Sequence, residues 1–306
     1  MRGKAFGRLW IVAAAILWGT TGTAQAFAPP GATPPSVGAS RILIGGLALL
    51  VIAGLQGQLT RYAACWPRLP LLLAALGVAA YQLCFFAGVV RAGIALGTVV
   101  ALGSAPILTG MVTKLRGEPW EPGWPIATFL ALLGLACILL PGRANHVDLL
   151  GVMLCAGAGA AYAMFTVASR QALLAGTPET GTMAIAFTGG AALLLPLLLL
   201  RPHDWLANPR GLAVALHLGL IATALAYICF SRGLRVTPAS TATTLSLAEP
   251  LTATTLGIVV LGERPPLMAA VGMLLLLSGL VWLAITPRWR RDARLSIPPP
   301  PAGNAG

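Results

Sequence analysis

The chain has 306 residues, 57% of them hydrophobic and only 9% charged, with a mean hydropathy of +0.84. A soluble domain carries roughly 25% charged residues, so this composition excludes a cytosolic globular enzyme, a disordered chain and a secreted disulfide scaffold, and leaves a polytopic membrane protein. The net charge of +12 would suggest nucleic acid in a soluble protein; in a membrane protein it marks cytoplasmic loops, and no nucleic-acid partner is expected.

Stretches free of Asp, Glu, Lys and Arg run over 9–40, 42–60, 69–90, 92–113, 122–142, 149–169, 180–200, 211–231 and 265–287, and a tenth, 236–262, is interrupted only by Glu249. Each approaches or exceeds the ~20 residues that cross ~30 Å of hydrocarbon as a helix. No alternation of period two appears, so the spans are read as helices and not as barrel strands. Arg2, Lys4 and Arg8, followed by an apolar run and Ala24-Gln25-Ala26, imitate a signal peptide. Its removal would leave nine spans and break the repeat described below, so the segment is read as the first span.

Charge gives the orientation. With the N-terminus in the cytoplasm, fourteen Lys and Arg fall on that side: Arg2, Lys4, Arg8, Arg61, Arg68, Lys114, Arg116, Arg170, Arg232, Arg235, Arg288, Arg290, Arg291 and Arg294. Six fall opposite, at Arg41, Arg91, Arg143, Arg201, Arg210 and Arg264. Both termini are therefore expected in the cytoplasm. Trp10, Trp66, Trp120, Trp124, Trp205, Trp282 and Trp289 lie near predicted span ends, where interface anchors belong, whereas Trp18 lies well inside the first span. Cys84, Cys137, Cys155 and Cys229 fall in apolar stretches and read as small packing residues. Residues 288–306 form a basic, then Pro-rich tail (Pro298 to Pro301) expected to be disordered; its arginines suit a topology anchor or contact with anionic lipid.

The chain also matches itself. At an offset of 145, residues 82–118 and 227–263 share eight identities, among them Phe85/Phe230, Thr98/Thr243, Leu102/Leu247 and Gly117-Glu118/Gly262-Glu263. A one-residue slip aligns Pro106 with Pro250. The expected fold is thus all-α, ten transmembrane helices in two five-helix repeats, residues 1–142 and 143–287. Five is odd, so the repeats cross the membrane in opposite senses. An inverted repeat of this kind is a transporter signature, with a midplane site between halves that rock.

These residues resemble a known family. Ile16-Leu17-Trp18-Gly19-Thr20 resembles the Trp-Gly start of EamA-type members of the drug/metabolite transporter superfamily, and Ser40-Arg41-Ile42-Leu43 is similar to the arginine opening their second helix. Leu247-Ala248-Glu249-Pro250-Leu251 and Leu261-Gly262-Glu263 resemble their ninth-helix ending, echoed by Leu115-Arg116-Gly117-Glu118. The resemblance implies a central cavity lined mainly by helices 1, 3, 4, 6, 8 and 9. It also implies export of amino acids or of other small metabolites and drugs, with the amino-acid (aromatic-amino-acid) exporters as the nearest branch, in the inner membrane of a bacterium.

Glu249 is the one carboxylate in the middle of a predicted span, where a charge costs roughly 2.5–3.5 kcal/mol on insertion scales. It reads as a cavity group that binds a substrate ammonium or carries a coupling proton, or else as a glutamate satisfying backbone freed by Pro250. Pro106 and Pro250 each delete a helix hydrogen bond and serve as hinge, gate or static kink. Trp18, Tyr81, Tyr162 and Tyr227 combine an apolar body with a polar edge deep in predicted spans, suiting either a substrate cavity or a core. Ser246 completes the candidate substrate set, with Gln25, Gln82, Thr98, Thr243 and Thr244 as further polar candidates, and His217 is read as facing loop or interface. Gly93 and Gly97 form a GxxxG, and 156–161 is a run of Gly and Ala suited to close helix packing. No paired carboxylates, His-rich metal set or nucleophile–base pair appears, so an enzyme is not expected and no cofactor or metal is implied. A channel or scaffold subunit is the competing class. The expected partners are a small-molecule substrate and membrane lipid, with oligomeric state open and a monomer plausible.

Overall fold

The computed structural model describes residues 2–61, 66–140, 148–200 and 203–286. The tail 288–306, Trp289, Arg143 and Arg201 lie outside the described residues. Every regular element among those described is helical: α1 (Arg2–Ala26), α2 (Pro34–Leu55), α3 (Arg68–Ala92), α4 (Ile94–Leu115), α5 (Trp124–Leu139), α6 (Leu149–Leu174), α7 (Glu179–Leu199), α8 (Pro209–Val236), α9 (Ala239–Leu261) and α10 (Leu267–Ile285), with short turns at Gln58–Arg61 and Asp204–Ala207. Among the described residues, nine of these are long and apolar enough to cross a membrane. The exception is α5, whose 16 residues span about 24 Å at ~1.5 Å per residue, short of ~30 Å of hydrocarbon.

Outward-facing Leu, Val and Ile side chains stay exposed along the bundle, for example Val90, Leu115 and Leu267. That is the surface a lipid solvent leaves uncovered, because lipid chains are as apolar as leucine. Inside, small residues set the spacing. A Cβ at Gly134 of α5 would lie 2.6 Å from the Gly272 carbonyl of α10, and one at Gly272 would lie 2.6 Å from the Gly134 carbonyl. The two helices therefore touch backbone to backbone.

Helix pairings follow a twofold rule. Helix α1 packs on α8 and α9, as α6 packs on α3 and α4; α2 packs on α7, α5 on α10, and α3 on α7 as α8 on α2. Exchanging each helix with its counterpart five places along turns α2–α7 and α5–α10 into themselves and every other of these pairings into another of them. The repeat read from eight identities is present in the packing.

Two boundaries differ from the sequence reading, and both matter for the site. The charge-free stretch 9–40 is not one span: α1 ends at Ala26 and α2 begins at Pro34. Pro29-Pro30, Gly31 (φ +92°) and Pro34-Pro35 break the chain there, since proline lacks a donor and suits a helix start. Arg41, counted among charges beyond the membrane, thus lies within a helix. The second difference concerns Gly93, which has φ +83° and forms the turn between α3 and α4 instead of a packing face.

Helix α9 is discontinuous. Its first part, Ala239–Leu245, ends at Ser246 and Leu247, and a second part, Ala248–Leu261, restarts there. Pro250 occupies the first turn of the restarted helix, where a missing N–H costs nothing. Pro106, its counterpart in the repeat, lies inside an uninterrupted α4. In α8 the stretch His217–Leu225 is a π-helical segment, a conformation often found at functional sites.

Candidate functional site

A cavity of about 450 Å³ lies between the repeats, lined by α1, α2, α3, α4, α6, α7, α8 and α9. All six residues read as substrate-binding, Trp18, Tyr81, Tyr162, Tyr227, Ser246 and Glu249, line this one space. So do Gln25, Gln82, Thr98 and Thr243. Pro106 and Pro250 are not in its wall. Thr244 faces away and bonds Trp124 Nε1 (3.0 Å) and Thr128 (2.9 Å). His217 bonds Thr20 (2.9 Å), tying the π-helical segment of α8 to α1.

Two helices absent from the expected lining contribute to the wall: α7 through Phe187, and α2 through Pro34, Arg41 and Ile42. The signal for Arg41 was the Pro-Pro-Gly and Pro-Pro break before it, which a search for charge-free windows passes over. Arg41 and Glu249 act on one another electrostatically, yet they form no ion pair among the described residues. Both charges also act on the Tyr81 and Tyr227 hydroxyls, so the four groups share one neighbourhood.

The remaining wall is aromatic. Tyr81 stacks on Phe85 at 5.6 Å, Trp18 lies 5.0 Å from Tyr227, and Tyr227 lies 4.2 Å from Phe187. The Tyr162 hydroxyl meets the Ser246 hydroxyl at 3.1 Å, at the break in α9. Four residues that line this space each carry an enclosed polar atom with no partner: Trp18 Nε1, Thr21 Oγ1, Arg41 Nε and Gln82 Nε2. Buried donors are normally satisfied; unpartnered enclosed atoms also occur away from the cavity, at Ser40, Thr166 and Ser169. Among the described residues no cluster of His, Cys, Asp or Glu is suited to a metal.

The wall includes Gln25 and Gly22 near the end of α1, Pro34 at the start of α2 and Ile94 at the start of α4. The cavity therefore extends toward the end of the bundle opposite the start of α1. The other end is tied by charge. Arg8 of α1 pairs with Glu121 at 2.8 Å and donates to the Leu283 and Ala284 carbonyls at the end of α10. Arg170 pairs with Glu118 (3.0 Å) and Arg235 with Glu179 (2.7 Å). Trp124 and Trp205, read as interface anchors, are buried and bonded inside, to Ser240 O (2.9 Å) and Ser36 Oγ (2.8 Å) respectively.

The model of the EamA-like transporter family matches residues 5–140 and again 149–285. The chain belongs to this family. An uncharacterized transporter of Bacillus subtilis strain 168, YwfM, is 42% identical over 295 residues, covering 96% of this chain and 98% of its own. The threonine/homoserine exporter RhtA of Escherichia coli K12 is 31% identical over 252 residues, 80% of either chain. A solved crystal structure superposes with a TM-score of 0.76 at 24% identity, covering 90% of this chain and 95% of that one, and shares the fold. This EamA protein is a multi-pass membrane transporter of small molecules and not an enzyme. The two family matches fall on α1–α5 and α6–α10, so Arg41 belongs to the first copy and Glu249 to the second.

Proposed function

We propose that this EamA transporter exports small metabolites, most of all amino acids, across the bacterial inner membrane by alternating access. Ten spans in two inverted repeats, residues 1–142 and 143–287, hold the cavity between them, with both termini and the tail 288–306 in the cytoplasm. The observation that carries the reading is a cavity with charged side chains from both repeats, tied shut at the end that holds the chain's beginning. That arrangement is what a carrier presents when its site faces the cell exterior. The similarity to threonine/homoserine exporters supports amino acids as cargo.

Glu249 supplies charge at the site, and Trp18, Tyr81, Tyr162 and Tyr227 shape it around the cargo's apolar parts. Ser246, Pro250 and the break in α9 give the second repeat a joint beside the site. Pro106, in an unbroken α4, serves as a pivot only through the bend proline imposes.

Counterflow of labelled amino acids in proteoliposomes, with and without an imposed pH gradient, tests this reading. Saturable exchange of an amino acid supports a carrier, and a channel gives flux without counterflow. Exchange confined to sugars, nucleosides or cationic drugs overturns the amino-acid cargo while retaining the carrier.

A further inference from the structure

Among the described residues, Arg41 is a cation of the cavity wall without a carboxylate partner. Arg8, Arg91, Arg170 and Arg235 each meet a carboxylate, but Arg41 lines the cavity with its Nε enclosed and unpartnered. A guanidinium taken out of water without a partner is costly. Its planar fork matches a carboxylate through two parallel hydrogen bonds. The nearby enclosed donors point to the same kind of ligand. Trp18 is 4% exposed and its indole N–H can only donate; Gln82 is 5% exposed, with one end of its amide unbonded.

Glu249 faces the same space with the opposite charge and makes no pair with Arg41. A wall carrying both signs, each left free, fits a ligand carrying both signs. Resting on the amino-acid reading above, we infer that the cargo is held as a zwitterion, its carboxylate on Arg41 of α2 and its ammonium on Glu249 of α9. The aromatic walls then take the side chain.

The two charges come from different repeats, which gives recognition a mechanical consequence. A bound zwitterion bridges the halves that must move, and each of its charges satisfies one half. An amine leaves Arg41 bare, and an N-acylated acid leaves Glu249 bare. Either analogue leaves one of the two cavity charges unpaired, and sites of that kind discriminate strongly.

The test uses the intact protein in proteoliposomes. The best-exchanged amino acid of a labelled panel is challenged with its own decarboxylated amine, its amide and its N-acetyl derivative. Each single-charge analogue is expected to compete at least tenfold more weakly than the unlabelled amino acid. Arg41→Gln is expected to raise the half-saturating concentration at least tenfold and to erase the preference for the amino acid over the amine; Arg41→Lys is expected to retain part of that preference. Equal competition by the amine in the wild-type protein overturns the role of Arg41, and equal competition by the N-acetyl derivative overturns that of Glu249. Either result leaves amino-acid export standing. A wild-type protein that exchanges other solutes and no amino acid overturns the cargo reading and this inference together.

Discussion

Glu121 accepts from Arg8 at 2.8 Å, and the same carboxylate oxygen accepts from Thr241 at 2.7 Å. Arg8 also donates to the end of α10, so two side chains knot α1, the α4–α5 connection, the first part of α9 and α10 together. Both are nearly enclosed, at 10% and 12% side-chain exposure. Removing one partner of a buried pair costs about 3–5 kcal/mol, because the other charge is left without compensation.

Glu121→Gln is therefore expected to loosen this end of the bundle. With a cysteine in place of Ser246 as reporter, a membrane-impermeant thiol reagent applied from the Arg8 side is expected to label the variant at least tenfold faster. Arg8→Gln with Glu121→Gln removes both charges and is expected to recover part of the protection. Equal labelling rates in wild type and Glu121→Gln would make the pair a static staple.

Much of the cavity was legible because polarity inside a membrane is expensive. Glu249, Trp18 and the three deep tyrosines stood out in apolar runs, and all five face one space. Arg41 was read as the opening of the second helix and as a charge beyond the membrane, since dividing the chain at its charges turned a cavity residue into a boundary. Trp124 and Trp205 were misread for a different reason: distance along the chain from a span end says nothing about which way the ring points. The break at Ser246 and Leu247 was not legible because Pro250 alone does not distinguish a break from a bend. Its counterpart Pro106, with the same local chemistry, leaves its helix intact.

The backbone contact between Gly134 and Gly272 makes a steric prediction. A Cβ at Gly134 also meets the Leu276 nitrogen at 2.5 Å, and backbone cannot step aside as a flexible side chain would. Overpacking of this kind costs roughly 1–3 kcal/mol. Gly272→Ala and Gly134→Ala are each expected to lower the melting temperature in detergent. Gly54→Ala, where nothing lies within 4 Å, is expected to leave it unchanged.

Asp148 stands just before α6 and outside its span. It accepts from the Gly151 N–H at 3.2 Å and from Arg91 at 3.0 Å. The Gly151 N–H first, then the Arg91 guanidinium, hold its carboxyl below the usual carboxylate range. A lowered native value means that the stabilisation is full above the unfolded value of ~3.9 and is lost as pH falls through the native one. Asp148→Asn is expected to reduce thermal stability at pH 7 and to narrow the gap to wild type toward pH 3. A gap independent of pH would assign the effect to packing.

The Tyr162–Ser246 hydrogen bond joins α6 to the break in α9, and its loss distinguishes a moving joint from a fixed bend. Ser246 Oγ also donates to the Ala242 carbonyl at 3.0 Å, so the serine holds the last turn before the break whether or not Tyr162 is present. Tyr162→Phe keeps the ring against Phe165 and Phe230 and removes only the hydroxyl, a loss of about 0.5–1.5 kcal/mol for a neutral bond. If the bond forms in one state of the cycle and opens in the other, its loss shifts the balance between states by that energy, a factor of roughly 2–13. The expected result is a change in counterflow rate of that size with little change in half-saturating concentration, reproduced by Ser246→Ala and not enlarged in the double variant. Additive effects of the two substitutions would show that the hydroxyls act separately, and an effect confined to affinity would assign Tyr162 to the cargo and not to the joint.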